Sequence, residues 1–159
     1  MWIVCITSVR HVLTVNGYGG RQTKENEKSW CFKGWETLVN YIYVRMGACT
    51  FIHKRTADDI WKNLFELPLV ETDRNLSEEE FLSSASFRSL IAEGEVPEVR
   101  LVFRNVKHVL SHRVIYANFY EVVLPENSRS FSEYQCIRME DLEQYPVSRL
   151  VHAFLEKYL

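Results

Sequence analysis

The chain has 159 residues, of which 47% are apolar and 13% aromatic, and its formal charge is −2. This length and composition allow one hydrophobic core, so one domain is expected. The balanced charge excludes a strong overall attraction to a phosphate backbone, so any contact with nucleic acid must be local or shared with a partner. No apolar run approaches the ~20 residues of a membrane span, and the start lacks the pattern of a signal peptide. We therefore predict a cytoplasmic protein without membrane contact.

The cysteines lack the short spacings from which metal sites are built. Zinc and iron–sulfur sites draw on cysteines only a few residues apart, whereas the gaps here are long. The four cysteines are Cys5, Cys31, Cys49 and Cys136. We therefore predict no metal ligands and four unrelated, reduced thiols.

The first 39 residues differ in character from the rest of the chain. One short apolar stretch is followed by residues 10–30, which contain a polar run and three of the four glycines of this segment. This composition predicts a leader or linker-like segment over residues 1–39, with at most one strand. A folded domain is predicted over residues 40–159.

The folded domain begins with strand signals. Residues 40–46 and 49–54 have strand-like composition and flank Gly47 and Ala48, which predicts a hairpin with a tight turn. Residues 61–70 predict a further strand that Pro68 interrupts.

A helix follows these strands. Ser77 and Glu80 have the spacing of a capping box, so the helix is predicted to begin near Ser77 and to stop near Gly94. Four serines, at positions 83, 84, 86 and 89, leave open whether this is one element or two.

The second half of the domain continues with strands and ends in a helix. Residues 99–112 and 113–124 alternate with period two, and residues 133–139 offer one more short strand. Apolar residues with helical spacing then predict a final helix: Val147, Leu150, Val151, Phe154, Leu155 and Tyr158. Together these elements predict an α+β fold in which helices flank a mixed β-sheet.

Two stretches, "HKRTADDIWKNLFELPLVET" (53–72) and "KHVLSHRVIYANFYEV" (107–122), resemble the C-terminal domain of the MutY family, the A/G-specific adenine DNA glycosylases. The match covers residues 40–159 and is carried by Arg55, Asp59-Ile60-Trp61, Leu64-Phe65-Glu66, Pro68-Leu69 and Leu110-Ser111-His112. The resemblance implies a Nudix-like α/β/α sandwich related to MutT. It also implies a role in base-excision repair, namely reading 8-oxoguanine opposite a misplaced adenine.

The catalytic machinery of that family has no counterpart in residues 1–39. MutY enzymes carry an N-terminal helical domain with a helix-hairpin-helix, a catalytic aspartate and a four-cysteine iron–sulfur cluster. The resemblance therefore implies a chain with no catalytic residue and no cofactor of its own. We expect this chain to be a monomer. The implied partners are an N-terminal catalytic domain and double-stranded DNA containing 8-oxoguanine opposite adenine.

Two other classes of function remain as alternatives. A stand-alone Nudix-type nucleotide pyrophosphohydrolase needs an Arg-Glu-x-x-Glu-Glu cluster to hold Mg²⁺. Aligning Glu80 and Arg88 with that box leaves Ser89 and Ala92 where glutamates are needed and keeps only Glu93, while Arg74 stands in place of the box glycine. A protein-interaction module would instead be marked by a large exposed apolar patch, which the sequence does not reveal.

The candidate site is the Ser-His pair between the two long strands. By resemblance to the family's Phe-Ser-His loop, Leu110, Ser111 and His112 form the lesion-sensing tip, with leucine where many relatives have phenylalanine. A serine hydroxyl can accept from the N7–H of 8-oxoguanine or donate to its C8 oxygen. Histidine can donate to a phosphate or base, or stack beside it, and leucine can wedge against the displaced strand. The alternative is an ordinary hairpin turn.

Basic residues beside the tip complete the predicted interface. Lys107, His108 and Arg113 flank it and suit phosphate contacts. Lys54 and Arg55 form a weaker second candidate for such contacts. The remaining residues of interest are assigned structural roles: Trp61, Phe65 and Phe119 to the core, and His53 to a structural or exposed position rather than a metal site.

Overall fold

The computed structural model describes residues 36–159, which form seven strands and four short helical elements. Of the predicted leader, residues 1–35 lie outside the described residues, and residues 36–39 belong to the first strand. The strands are β1 (Glu36–Met46), β2 (Cys49–Lys54), β3 (Phe65–Glu66), β4 (Leu69–Thr72), β5 (Glu98–Leu110), β6 (Arg113–Leu124) and β7 (Gln135–Arg138). The helices are α1 (Glu78–Ser83), α2 (Ala85–Arg88), a 3₁₀ segment (Met139–Gln144) and α3 (Arg149–Tyr158).

The sheet is mixed, as predicted. Its strand order is β3-β2-β1-β6-β5, with β4 paired to β1 and β7 paired to β2. The central pair, β1 and β6, is parallel, and every other pairing is antiparallel. Strand β1 begins at Glu36, earlier than the predicted residue 40, because this end pairs with Val114 of β6, a partner remote in sequence.

The two predicted breaks in the first half occur where expected. Met46 pairs with Cys49 across a turn in which Gly47 has a φ of 59°, a conformation that favours glycine. At the second break, β3 and β4 are separated by Leu67 and Pro68, and the Pro68 carbonyl accepts a hydrogen bond from Ile42 N at 2.8 Å. Trp61 lies in the turn before β3 rather than in a strand.

The predicted helix is two helices. Ser77 accepts a hydrogen bond from Glu80 N, and the Glu80 carboxylate accepts one from Ser77 N at 2.8 Å, so the capping box is confirmed. Ser84 is extended, with φ −64° and ψ 143°, and its hydroxyl accepts a hydrogen bond from Phe87 N at 3.3 Å. One serine therefore ends α1 and caps α2. Among residues 36–159, no helix has both the length and the apolar character needed to cross a bilayer.

The core lies on both faces of the sheet, as an α/β/α sandwich requires. The first core cluster lies on one face, where Phe154 of α3 stacks on Phe119 at 4.3 Å and Phe119 stacks on Tyr41 at 5.1 Å. On the other face Phe81 of α1 stacks on Tyr120 at 4.2 Å. Neighbouring residues of one strand, such as Phe119 and Tyr120, point to opposite faces. The predicted fold is thus confirmed, with Phe119 fully buried and Trp61 and Phe65 partly buried against the first cluster.

A carboxylate joins the loop before β5 to the loop after β6. Glu95 accepts hydrogen bonds from the hydroxyls of Ser128 and Ser130 and from Arg129 N, the last at 2.9 Å. These bonds lower the pKa of Glu95 from its usual 4.5 to about 2, and the bond from Ser128 has the largest effect. Because the folded pKa is depressed, the stabilisation is present above pH 4.5 and is lost as the pH falls to about 2.

We therefore expect Glu95→Gln to lower the melting temperature above pH 4.5 and to converge with the wild type towards pH 2, in the window of this pKa shift. Thermal melts across this range measure the difference. Glu98→Gln, at an exposed position on β5, is the matched control and should not reproduce the convergence. A Glu95→Gln deficit that stays constant with pH would contradict the prediction.

Candidate functional site

The predicted Ser-His tip is a two-residue hairpin turn. Strands β5 and β6 pair from Glu98 and Val123 to Leu110 and Arg113, so Ser111 and His112 alone connect them. Both turn residues are exposed. Their side chains therefore stand at the end of the longest strand pair among the described residues, held in place by its ladder.

The residues beside the tip are divided between two faces of the hairpin. Leu110 pairs with Arg113 and His108 pairs with Ile115, so these side chains share the face that covers the first core cluster. Lys107 lies on the opposite face, as Val109 does. The hairpin thus brings the six predicted residues to one end of the sheet, but it does not place them on one surface.

Leu110 and Val109 differ in exposure. Leu110 is half-buried and packs against the first core cluster, whereas Val109 is 66% exposed. The exposed apolar side chain nearest the tip is therefore Val109, which the sequence analysis missed. The alternating pattern of β5 could have indicated this exposure, because it places residue 110 on the same side as the partly buried Val106 and residue 109 on the other side.

A network of asparagines connects the hairpin with the centre of the sheet. The β5–β6 ladder shifts register between Leu101 and Val106, and Asn105 in this irregular stretch has a φ of 53°. Asn105 N donates to Asn118 Oδ1 at 2.9 Å, and Asn118 Nδ2 donates to Asn40 Oδ1 at 2.9 Å. Since Asn40 Nδ2 in turn donates to the Val70 carbonyl at 3.1 Å, the network spans β5, β6, β1 and β4.

Arg55, the weaker candidate for phosphate contacts, is a buried structural residue. Its guanidinium donates to Glu66 Oε2 at 2.7 Å and to Asp59, and it lies 5.4 Å from the ring centroid of Trp61. Burial lowers the pKa of Arg55, but the two carboxylates outweigh this effect and the net shift is upward. The suggestion that Arg55 contacts phosphate was therefore wrong, because its charge is already paired inside the domain.

His53 has the structural role that the sequence suggested. Its Nε2 lies 2.9 Å from Glu66 Oε1, and its ring packs edge-on against Tyr134 at 5.3 Å. Glu66 thus bridges His53 and Arg55 on the sheet.

A cavity of about 300 Å³ lies beside this network. Its wall includes His53, Arg55, Glu66, Leu69, Glu71 and Tyr134. Burial raises the pKa of the Glu71 carboxyl, and Arg113 is the charge that most opposes this rise. Arg113 at the hairpin end is thus close enough to interact with the acidic wall of the cavity.

The helical segment after β4 does not fit the Mg²⁺ ion that the hydrolase alternative requires. The Glu80 carboxylate accepts hydrogen bonds from Arg74 at 2.9 Å and from Ser77 N at 2.8 Å. These bonds lower the pKa of Glu80 to about 2, and the bond from Arg74 has the largest effect. Glu93 is exposed on the following turn. Within residues 36–159 no three His, Cys, Asp or Glu side chains are grouped as metal ligands. A magnesium ion needs several oxygen ligands, which this segment does not bring together.

Comparisons with solved structures find the same fold elsewhere. The C-terminal domain of mouse MUTYH, solved in complex with human PCNA, matches with a TM-score of 0.57 and 16% identity, over 77% of this chain and 86% of that chain. At this identity the likeness shows a shared fold.

Two further structures align with lower scores. The E. coli ORF135 protein has a TM-score of 0.48 and 17% identity, over 76% of this chain and 89% of that chain. RenU, a Nudix hydrolase from M. smegmatis, has a TM-score of 0.49 and 10% identity, over 79% and 89% respectively.

Sequence comparison gives the family. A search of curated protein sequences found no match. The family model of the NUDIX domain, however, matches residues 40–157, which contain almost every element of the described fold. The chain therefore belongs to the NUDIX domain family.

Proposed function

We propose that this chain is a non-catalytic lesion-recognition domain of an A/G-specific adenine DNA glycosylase and that it reads 8-oxoguanine opposite misincorporated adenine. The observation that carries the proposal is the exposed two-residue tip, Ser111 and His112, at the end of the β5–β6 hairpin. The fold shared with the C-terminal domain of mouse MUTYH supports it.

The chemistry of the tip suits the lesion. 8-Oxoguanine differs from guanine by an N7–H donor and a carbonyl oxygen at C8. The hydroxyl of Ser111 can accept from the first or donate to the second, and the imidazole of His112 supplies a further donor. Because both residues are exposed at the end of a paired hairpin, a base edge can reach them without rearrangement of the domain.

The flanking basic residues would position the tip on the duplex. Lys107 is exposed on one face of the hairpin, and His108 and Arg113 lie half-buried on the other, so contacts to phosphates on both sides of the tip become accessible. Arg113 would contribute the least of the three, because part of its field is offset by Glu71. Such contacts orient the domain but do not read the base.

Excision of adenine would be the task of the family's N-terminal catalytic domain, the proposed protein partner, with its own iron–sulfur cluster. The role of this chain would be to distinguish 8-oxoguanine from guanine in the base opposite the adenine. We therefore propose no catalytic residue and no cofactor within it.

The test compares the affinity of the chain for two duplexes that differ only in 8-oxoguanine or guanine opposite adenine. The wild type should prefer the lesion, and Ser111→Ala/His112→Ala should lower this preference roughly tenfold or more, because each hydrogen bond to the base edge contributes ~1–3 kcal/mol of discrimination. Affinity for undamaged DNA should change less, since Lys107, His108 and Arg113 remain.

The matched control is Ser86→Ala/His152→Ala, which removes one exposed serine and one exposed histidine from α2 and α3. This control should keep the preference for 8-oxoguanine. A wild-type chain without that preference, or a folded tip variant that retains it, would contradict the proposed function.

A further inference from the structure

Strands β2 and β7 bring together two of the four cysteines. In the antiparallel pair, Cys49 lies opposite Arg138 and Cys136 lies opposite Phe51. Residues that face each other across a ladder share a face, and so do residues two apart along a strand. Cys49 and Cys136 are therefore diagonal neighbours on one face, and the prediction of four unrelated thiols was wrong for these two.

The two thiols differ in accessibility. Cys136 is exposed and Cys49 is half-buried. Burial, followed by a hydrogen bond with the Cys49 thiol, raises the pKa of Cys136. The influence of the Cys49 thiol on Cys136 agrees with the register of the strands, which makes the two residues diagonal neighbours on one face.

We propose that Cys49 and Cys136 form a reversible intramolecular disulfide, with a low-molecular-weight disulfide such as oxidised glutathione as the oxidant. The Cys136 thiolate attacks one sulfur of the oxidant, which forms a mixed disulfide and releases one thiolate. The Cys49 thiolate then attacks the Cys136 sulfur of that mixed disulfide and expels the second thiolate. Two protein thiols are oxidised to one disulfide, and one small disulfide is reduced to two thiols.

The sheet makes this bond feasible and also labile. Diagonal neighbours stand further apart than a relaxed disulfide prefers. Strand β7, however, is four residues long and, among the described strands, pairs only with β2, so it can shift towards Cys49. A bond closed by such a shift retains strain, and strained, exposed disulfides are readily reduced.

Oxidation would fix the rim of the cavity described above. Tyr134 immediately precedes β7 and packs against His53 of β2, and both residues belong to the cavity wall. A covalent link between β2 and β7 would hold these two side chains at one separation. This inference concerns strands remote from the hairpin tip and does not depend on the proposed function.

The experiment uses the full chain with Cys5→Ser and Cys31→Ser, so that Cys49 and Cys136 are the only thiols. The chain is equilibrated with mixtures of oxidised and reduced glutathione, in buffer and in concentrated urea, and the products are mapped by mass spectrometry. In buffer we expect a 49–136 disulfide whose equilibrium constant exceeds that in urea by at least about tenfold, because the fold holds the thiols together while the unfolded chain rarely does.

The control is Cys49→Ser in the same background, in which the reaction should stop at glutathione bound to Cys136. An equilibrium constant in buffer equal to or below that in urea would overturn the proposal. Persistent glutathione on Cys136 of the folded two-thiol chain would overturn it as well, and so would an unreactive Cys136 in the control.

Discussion

Replacing Arg55 by methionine should lower the free energy of unfolding by about 3–5 kcal/mol, the cost of leaving a buried charge without its partner. The side chains of Arg55 and Glu66 are only 8% and 6% exposed, and they are joined at 2.7 Å. Methionine fills most of the space of the arginine stem but supplies no charge. Glu66 would keep the His53 imidazole as a neighbour but would lose its guanidinium partner, and the guanidinium contact with Trp61 would be lost as well.

Urea denaturation of the wild type and Arg55→Met measures this difference. Lys62→Met is the matched control, because Lys62 also pairs with an aspartate four residues away, at 2.9 Å, but on the surface. Its cost should stay within about 1 kcal/mol. Adding Glu66→Met to Arg55→Met should restore part of the lost stability, since apolar replacement of a whole buried pair is often tolerated. Equal effects of Arg55→Met and Lys62→Met would show that the buried pair is not a principal support of the fold.

The different positions of Lys54 and Arg55 show where sequence reasoning reached its limit. The two adjacent cations suggest a basic patch, yet Lys54 is exposed and Arg55 is buried. Lys54 ends β2 and Arg55 begins the following turn, where its backbone N–H donates to the Leu64 carbonyl at 2.8 Å. Which of two neighbouring cations turns inward depends on the carboxylates of Glu66 and Asp59, which the fold supplies.

Elements whose sequence pattern involves only neighbouring residues were predicted correctly. The capping box at Ser77 and the turn at Gly47 depend on residues at most three positions apart, so their patterns are legible in the sequence. The two-residue turn of Ser111 and His112 is likewise local, and the structure places it where the alternating runs meet.

Contacts between distant residues were not predictable in the same way. Asn40 and Asn118 are separated by 78 positions, and their hydrogen bond exists only because β1 and β6 pair in parallel with these residues opposite each other. The same holds for Cys49 and Cys136, whose proximity follows from the β2–β7 register. One partial signal was present: a polar asparagine inside each of two apolar strand runs, at positions where a buried amide needs partners.

The asparagine network also relates the core to the candidate interface. Asn118 holds the backbone of Asn105, the positive-φ residue in the irregular stretch of β5, five positions before Leu110 at the hairpin end. Asparagine tolerates that backbone conformation better than most residues do. A hydrogen bond made in the interior therefore holds the backbone of the strand that leads into the Ser111–His112 turn.

Asn118→Ala should accordingly lower the free energy of unfolding by about 2–4 kcal/mol, because it leaves two partly or fully buried groups, Asn40 Oδ1 and Asn105 N, without their partners. Asn118 is 2% exposed and Asn40 is 1% exposed, so solvent replaces these bonds poorly. Asn75→Ala is the matched control within the same network. Asn75 is exposed and donates to Asn105 Oδ1 at 3.0 Å, and its loss should cost no more than about 0.5 kcal/mol.

A double-mutant cycle separates the network from the individual side chains. Asn40→Ala and Asn118→Ala remove the two ends of one buried hydrogen bond, so the double variant should cost less than the sum of the single variants, with a coupling of roughly 0.5–3 kcal/mol. Urea denaturation of the four proteins gives this coupling. Strict additivity, or an Asn118→Ala cost as small as that of Asn75→Ala, would mean that the buried amides do not act as one network and that the irregular stretch of β5 does not depend on them for stability.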